Sequence, residues 1–299
     1  MEIITNAMRQ LAREGLENGL DIIIGWKDGR FEWQSKPAFI TEINDIESLN
    51  FNNYSLKNLS GYLLKKELKD KKIGIFLKGC DYKAYKQLVN YNQVDPENIQ
   101  IWGIACPGLK ERDFHGNTSN AERCQRCQEP VPEELETIIG KKEVAIQNSP
   151  EDKYQDVKKL ESLATDERFD YWKDQISDCI RCYACRNTCP LCECTTCMIA
   201  GGDSNSDDWI DSAKEFSQDF FFHSIRAFHQ AGRCVDCGEC EEVCPVDIPI
   251  SKINNKIRHD IENLYEMPEV ADDDSVMGPL LDFREDDPEP GSKGGKENA

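Results

Sequence analysis

No stretch of this 299-residue chain is apolar for long enough to cross a bilayer. The longest runs, such as IIIGW within Asp21–Trp26, are strand-sized, where a spanning helix needs roughly 20 residues. The opening MEIITNAMRQLAREGLENG is charged within its first turns and carries no apolar core of signal-peptide length. Basic charge is also scarce. Lys and Arg number 36 against 56 Asp and Glu, a formal charge of −20 at pH 7. Nucleic acid and anionic membranes both demand a basic surface and are excluded as partners. There is no P-loop, no GxGxxG and no nucleophile–base pair, so no catalytic residue is assigned. The four histidines, His115, His223, His229 and His259, are scattered. His223 and His229 read as packed or surface groups rather than ligands. These absences predict a cytoplasmic protein without membrane insertion.

Sulfur is what the chain has in excess, with 15 cysteines. In a reducing compartment such density signals metal ligands or redox groups rather than disulfides. Residues 179–197 read CIRCYACRNTCPLCECTTC. Cys179, Cys182, Cys185 and Cys189-Pro190 spell C-x2-C-x2-C-x3-C-P, and Cys234, Cys237, Cys240 and Cys244-Pro245 repeat it. Two full copies predict two [4Fe–4S] clusters, with the fourth cysteine of each run ligating the other cluster. One set is then Cys179, Cys182, Cys185 and Cys244, and the other Cys234, Cys237, Cys240 and Cys189. Structural zinc is the bland alternative, which the duplication disfavours. Cys192, Cys194 and Cys197 remain, one ligand short of a further cluster; they carry such a cluster with outside help, act as redox thiols, or line the pocket.

The first third reads as α/β. DIIIGWKDGRFEW predicts two short strands around a Lys-Asp-Gly turn, with the glycine at positive φ. KKIGIFLKGC is a buried strand and DYKAYKQLVNYN a helix, with Tyr82, Tyr85, Leu88 and Val89 on one face. NIQIWGIAC is a second strand after Asp95-Pro96. Strand, helix, strand makes a βαβ unit with parallel strands. It places Cys80 (in KGCD) and Cys106 (in ACPG) at the edge where ligands collect. Gly79 and Gly108 would let backbone approach a bulky group. With Lys78 and Asp81 they form the candidate cofactor-binding set. Cys80 and Cys106, joined by Cys124 and Cys127 of CQRC, supply four thiolates for a third [4Fe–4S] cluster. Zinc, a dithiol or inert packed cysteines are the alternatives.

The rest of the chain reads as helices. Ser149-Pro150-Glu151-Asp152 and Thr165-Asp166 have the grammar of helix starts, the second leading into Phe169, Trp172 and Ile176 on one face. A segment with Trp209, Ile210, Ala213, Phe216, Phe220, Ile225 and Phe228 at helical spacings stops at Gly232. IPISKINNKIRHDIENLYEM is another helix. The class is therefore α+β: an α/β domain over 1–147, a helical linker over 148–178, a mainly helical dicluster domain over 179–267, and an acidic, largely disordered tail over 268–299 in which Val276–Phe283 is the one docking candidate.

KIGIFLKGCDYKAYKQLVNYNQVDPENIQIWGIACPG resembles the KxCD-containing module of the coenzyme F420 hydrogenase/dehydrogenase β-subunit family, and CIRCYACRNTCP the ferredoxin motif that accompanies it. The helical half is similar to the α-helical ferredoxin domains of succinate dehydrogenase and heterodisulfide reductase. The resemblance implies FAD as a further cofactor and electron passage between a two-electron carrier and a cluster chain. The leading expectation is an electron-relay subunit of an oxidoreductase complex. Its partners would be a catalytic subunit and a flavoprotein or ferredoxin-like subunit. The alternatives are a flavin-dependent module acting on a soluble carrier, and a zinc scaffold.

Overall fold

A computed structural model describes residues 1–112, 115–146, 152–195, 197–199, 215–268 and 270. The chain divides into two compact units, Met1–Lys153 and Tyr154–Ala299.

The first unit runs α1 (Glu2–Glu17), β1 (Ile22–Asp28), β2 (Ser35–Ile40), β3 (Ile73–Lys78), α2 (Gly79–Asn90), β4 (Ile99–Ile104), β5 (Lys110–Arg112), β6 (Thr118–Asn120), α3 (Glu122–Gln125), β7 (Ile138–Ile139) and α4 (Lys142–Ile146). Five strands form one mixed sheet in the order β2-β1-β3-β4-β7. All pairings are parallel except that of β1 with β2. Central β3 is buried at all six positions, as a parallel strand covered on both faces must be. Helix α1 turns Ile4, Met8 and Ala12 inward, one residue per turn, and packs on β1 and β3. Each such fully buried large side chain contributes about 1.5–3 kcal/mol. Trp102 stacks on Phe76 with centroids 4.8 Å apart and lies over Gly74, where a Cβ would come within 2.6 Å of its ring.

The expected strand–helix–strand unit is β3-α2-β4, with parallel register. The first hairpin differs from expectation. Strand β1 continues through Asp28, and its partner begins only at Ser35. Gly29 is not among the positive-φ glycines; it is needed because a Cβ there would stand 2.5 Å from that of Gln34. The intervening loop instead stacks Phe31 on Trp33, 5.0 Å apart, with the Arg112 guanidinium 3.8 Å from the Trp33 ring centre.

The second unit is helical: α5 (Gln155–Glu161), α6 (Thr165–Ser177), α7 (Ala184–Thr188), α8 (Phe216–His229), α9 (Glu239–Glu242) and α10 (Ile250–Leu264). Helix α6 packs on α8, α7 on α9, and α5, α8 and α9 on α10. Gly232, at φ +71°, follows α8 as the expected stop. Trp209, Ile210, Ala213, Ser149, Pro150, Glu151 and Val276–Phe283 lie outside the described residues.

The buried face of α8 is not the one its aromatics predict. Phe220 and Phe228 are exposed, the latter 59%, while Asp219, Phe222, His223, Arg226 and Ala227 are buried. Cys179, Cys185, Cys237, Cys240 and Cys244 are buried in this unit, and thiols want donors and charge beside them more than aromatic rings.

Candidate iron–sulfur sites

At the sheet edge, the β3–β4 register pairs Lys78 with Ile104. Cys80 and Cys106 therefore each stand two residues beyond the same rung of the ladder. The loop after α3 returns across this edge. Cys106 N–H donates to the Pro130 carbonyl at 3.0 Å, and a Cβ on Gly79 would meet the Glu129 carbonyl oxygen at 1.8 Å. Gly79 thus admits the chain's own backbone. Gly108 sits in open space at φ +84°, so its conformation demands glycine, and its N–H donates to the Cys106 sulfur. Of the CQRC pair, Cys124 lies in α3 and Cys127 in the returning loop. Burial raises the Cys80 pKa well above that of an ordinary thiol, and Cys127 adds to the shift. Burial pushes Cys106 up to about 12, with Cys124 and Cys127 adding to it. The four thiols thus share one neighbourhood.

Beside them lies a buried ion pair. Lys78 Nζ is 2.9 Å from Asp81 Oδ2, with side chains 2% and 0% exposed. The ammonium also donates to the Lys57 carbonyl at 3.1 Å and sits 4.2 Å from the Trp26 ring centre. Burial works against its charge, but Asp81, with Cys80 and Cys106, raises its pKa overall. Lys78 and Asp81 are thereby engaged with each other one helical turn around Cys80.

In the helical unit the two cysteine runs adopt the same backbone. Arg181 and Tyr183 flank Cys182 at φ +51° and +57°, and Asp236 and Gly238 flank Cys237 at +50° and +70°. A non-glycine residue in this conformation costs roughly 1–2 kcal/mol, and such strain clusters at functional sites. The twist aims amides at sulfur: Arg181 N–H donates to Cys179 Sγ at 3.4 Å and Ile248 N–H to Cys244 Sγ at 3.3 Å.

The neighbours are crossed between the runs. Burial lifts Cys179 to about 11, and Cys185 and Cys244 act on it in the same direction. Cys185 is raised by burial, then by Cys244 and Cys182. Cys234 is lifted to about 11 by burial, with Cys189 contributing. Cys237 and Cys240 are raised by burial and then feel both Cys189 and Cys234. Cys244 thus stands with the first run and Cys189 with the second.

The remaining three cysteines part company. Cys192 hydrogen-bonds Cys189, holding it down to about 6 while its own pKa is driven up. Cys197 packs against the core formed by Cys179, Cys185, Cys240 and Cys244. Cys194 is exposed. His229 is exposed, as expected of a surface group. His223 is buried with Nε2 3.4 Å from Cys179 Sγ, and burial with the nearby Arg226 depresses its pKa to about 4. The sequence reading passed over this contact, and over Arg226 and Gln230. The available signal was polar residues at 219, 223, 226 and 230, one face of a helix otherwise rich in phenylalanine.

The donor set suits clusters. Among the described residues, His223 Nδ1, Arg226 Nε and Asn254 Oδ1 are buried polar atoms near the thiols without a hydrogen-bond partner. Among the described residues no three His, Cys, Asp or Glu side chains close on a point tightly enough for one metal ion. A cube of iron and sulfide holds its thiolates farther apart than a single ion does.

Residues 175–248 match the family of 4Fe-4S dicluster domains. Over 355 aligned residues the chain is 23% identical to the F420-dependent formate dehydrogenase subunit beta of Methanocaldococcus jannaschii, covering 88% of this chain and 90% of that protein. It is also 23% identical to the F420-dependent formate dehydrogenase 1 subunit beta of Methanococcus maripaludis, covering 85% and 87%. A chain from the xenon-derivatised F420-reducing [NiFe] hydrogenase complex of Methanosarcina barkeri aligns at 13% identity with a TM-score of 0.33, covering 58% of this chain and 86% of that one. The curated relatives bear out the resemblance to F420-related beta subunits, and the matched domain bears out an iron–sulfur protein. No described helix is long and apolar enough to cross a membrane.

Proposed function

We propose that this chain is an iron–sulfur electron-transfer subunit of a multi-subunit oxidoreductase, relaying single electrons through [4Fe–4S] clusters. The crossed neighbourhoods of Cys244 and Cys189 carry the reading. Exchange of the last cysteine between two C-x2-C-x2-C-x3-C-P runs is how a dicluster domain closes both cubes. Cys179, Cys182, Cys185 and Cys244 would hold one and Cys234, Cys237, Cys240 and Cys189 the other. Cys80, Cys106, Cys124 and Cys127 would hold a third at the sheet edge. The clusters supply one-electron chemistry; the protein sets spacing, burial and hydrogen bonding, and so their potentials.

Partners follow from the same logic. A relay needs a donor and an acceptor, here a catalytic subunit and a flavoprotein or ferredoxin-like subunit. The relatives' names support an F420-linked complex acting on formate; the proposed compartment is the cytoplasm, where clustered thiols stay reduced. The family resemblance of the first unit supports a second reading, in which that unit binds FAD and exchanges electrons with a soluble carrier such as the F420 in the relatives' names.

The deciding experiment measures iron, acid-labile sulfide, zinc and released flavin per chain after anaerobic purification. About twelve irons support three clusters, and about eight restrict the relay to the dicluster unit. Stoichiometric flavin selects the second reading. Zinc in place of iron overturns both.

A further inference from the structure

Helix α8 lays a polar stripe along the first cysteine run. Asp219, His223, Arg226 and Gln230 are spaced four, three and four residues apart, which keeps them on one face, and all are 2–4% exposed. Each makes a different contact. Asp219 accepts from Arg181 Nε at 2.9 Å, and His223 meets Cys179 Sγ. Arg226 Nη2 donates to the Cys185 carbonyl at 3.1 Å. Gln230 Nε2 donates to the Leu191 carbonyl at 3.1 Å and to Cys192 Sγ at 3.2 Å. Gln230 Oε1 also lies 3.9 Å from Cys189 Sγ, so the stripe passes from the first thiol set to the second, with Arg226 between His223 and Gln230.

Arg226 lines one cavity with Cys189, Cys234, Cys237 and Cys240 of the second set, while its Nη2 holds the Cys185 carbonyl of the first; Cys240, Cys189, Cys192 and Cys185 are the thiols that act most on its charge. Among the described residues it has no carboxylate partner, and its Nε has no acceptor. The other deeply buried guanidinium among the described residues of this unit, Arg258, has Asp236 at 3.6 Å. A guanidinium does not give up its proton in a protein, and burying it without an opposite charge is costly. The missing negative charge is what thiolate-bound clusters bring, since four thiolates on a cube leave it net anionic.

We propose that Arg226 is the shared countercharge of the two clusters, a positioning residue that raises both reduction potentials. This rests on the dicluster assignment above. One cation between two anionic centres favours the electron-rich form of each, which an arginine serving only to hold the Cys185 carbonyl would not do for the second cluster.

The test uses the full-length chain purified anaerobically, with Arg226→Lys and Arg226→Gln variants, each read by iron and sulfide content and by EPR-monitored potentiometry. The proposal expects Arg226→Gln to keep its iron and to lower both midpoints by at least a tenfold change in the reduction equilibrium, 59 mV for a one-electron couple. Arg226→Lys should hold both near wild type. Unmoved potentials in iron-replete Arg226→Gln, or a shift confined to the cluster of Cys185, overturn it. Should Arg226→Gln lose iron, Arg226→Lys decides: retained iron and potentials support a role for charge, and loss there too assigns the residue to holding the Cys185 carbonyl and overturns the proposal. Wild-type protein without iron would overturn the dicluster assignment instead.

Discussion

Gly79 has no room for a side chain because the carbonyl oxygen of Glu129 lies 1.8 Å from where its Cβ would be. The contact fastens the loop that carries Cys127 and follows Cys124 of α3 over the end of β3. Backbone cannot swing aside as a flexible side chain would. Gly79→Ala should therefore push the loop off the edge and cost about one cluster's worth of iron, roughly four atoms per chain, while the dicluster signals persist. Iron analysis and EPR on wild type and variant decide it; an unchanged iron count would separate the loop from metal binding.

The crossed ligand sets make an asymmetric prediction. Cys244→Ser should abolish the cluster of the first run, although Cys244 lies in the second, and Cys189→Ser the reverse. Each variant should lose about four irons. Spectra showing that each substitution affects the cluster of its own run would refute the crossing.

Lys78 and Asp81 are a buried pair, and removing one partner strands the other's charge. Lys78→Met should destabilise the protein by about 3–5 kcal/mol. The double variant Lys78→Met, Asp81→Asn should recover part of that loss. Denaturant titration of the three proteins measures both effects.

Tyr85 provides a pH test. Burial, then Tyr82 and Asp95, raises its phenol from 10 to about 12. Because the folded state favours the neutral phenol, its contribution is intact below pH 10 and is lost as pH rises from 10 towards 12. The loss is at most about 3 kcal/mol, at about 1.4 kcal/mol per pH unit over that window. Tyr85→Phe should flatten the decline in stability over that window, measured by urea midpoints at pH 9, 10 and 11.

On α8 the two faces should behave in opposite ways. Phe222 is 1% exposed and Phe228 59%. Phe222→Ala should cost about 3–5 kcal/mol, whereas Phe228→Ala should stay within about 0.5 kcal/mol, as surface changes do.

That helix also shows where the sequence was readable and where it was not. Periodicity locates α2, α6 and α10 well, and the β3-α2-β4 unit with its cysteine-bearing edge follows from apolar runs of the right length. The α8 face was misread because phenylalanine dominates any count of apolar spacing, while the buried side of this helix faces thiols and backbone carbonyls. Which polar residue of a mixed helix points inward depends on what it faces, and Arg226 faces residues far away in sequence. The long β1–β2 loop was missed because Lys-Asp-Gly has good turn chemistry, and only the Phe31–Trp33 stack explains why the chain stays out until Ser35.

The crossing of Cys189 and Cys244 has a consequence for how the molecule is made. Chain order and spatial order disagree: the last thiol of the first run stands among neighbours that are synthesised 45 or more residues after it. The first three thiols in turn wait for a residue from the end of the second run. On the assignment proposed above, the second set would be complete only when Cys240 has left the ribosome and the first only when Cys244 follows four residues later, so the two would fill together and late, and a chain truncated between the runs carries three orphaned thiols and one stray.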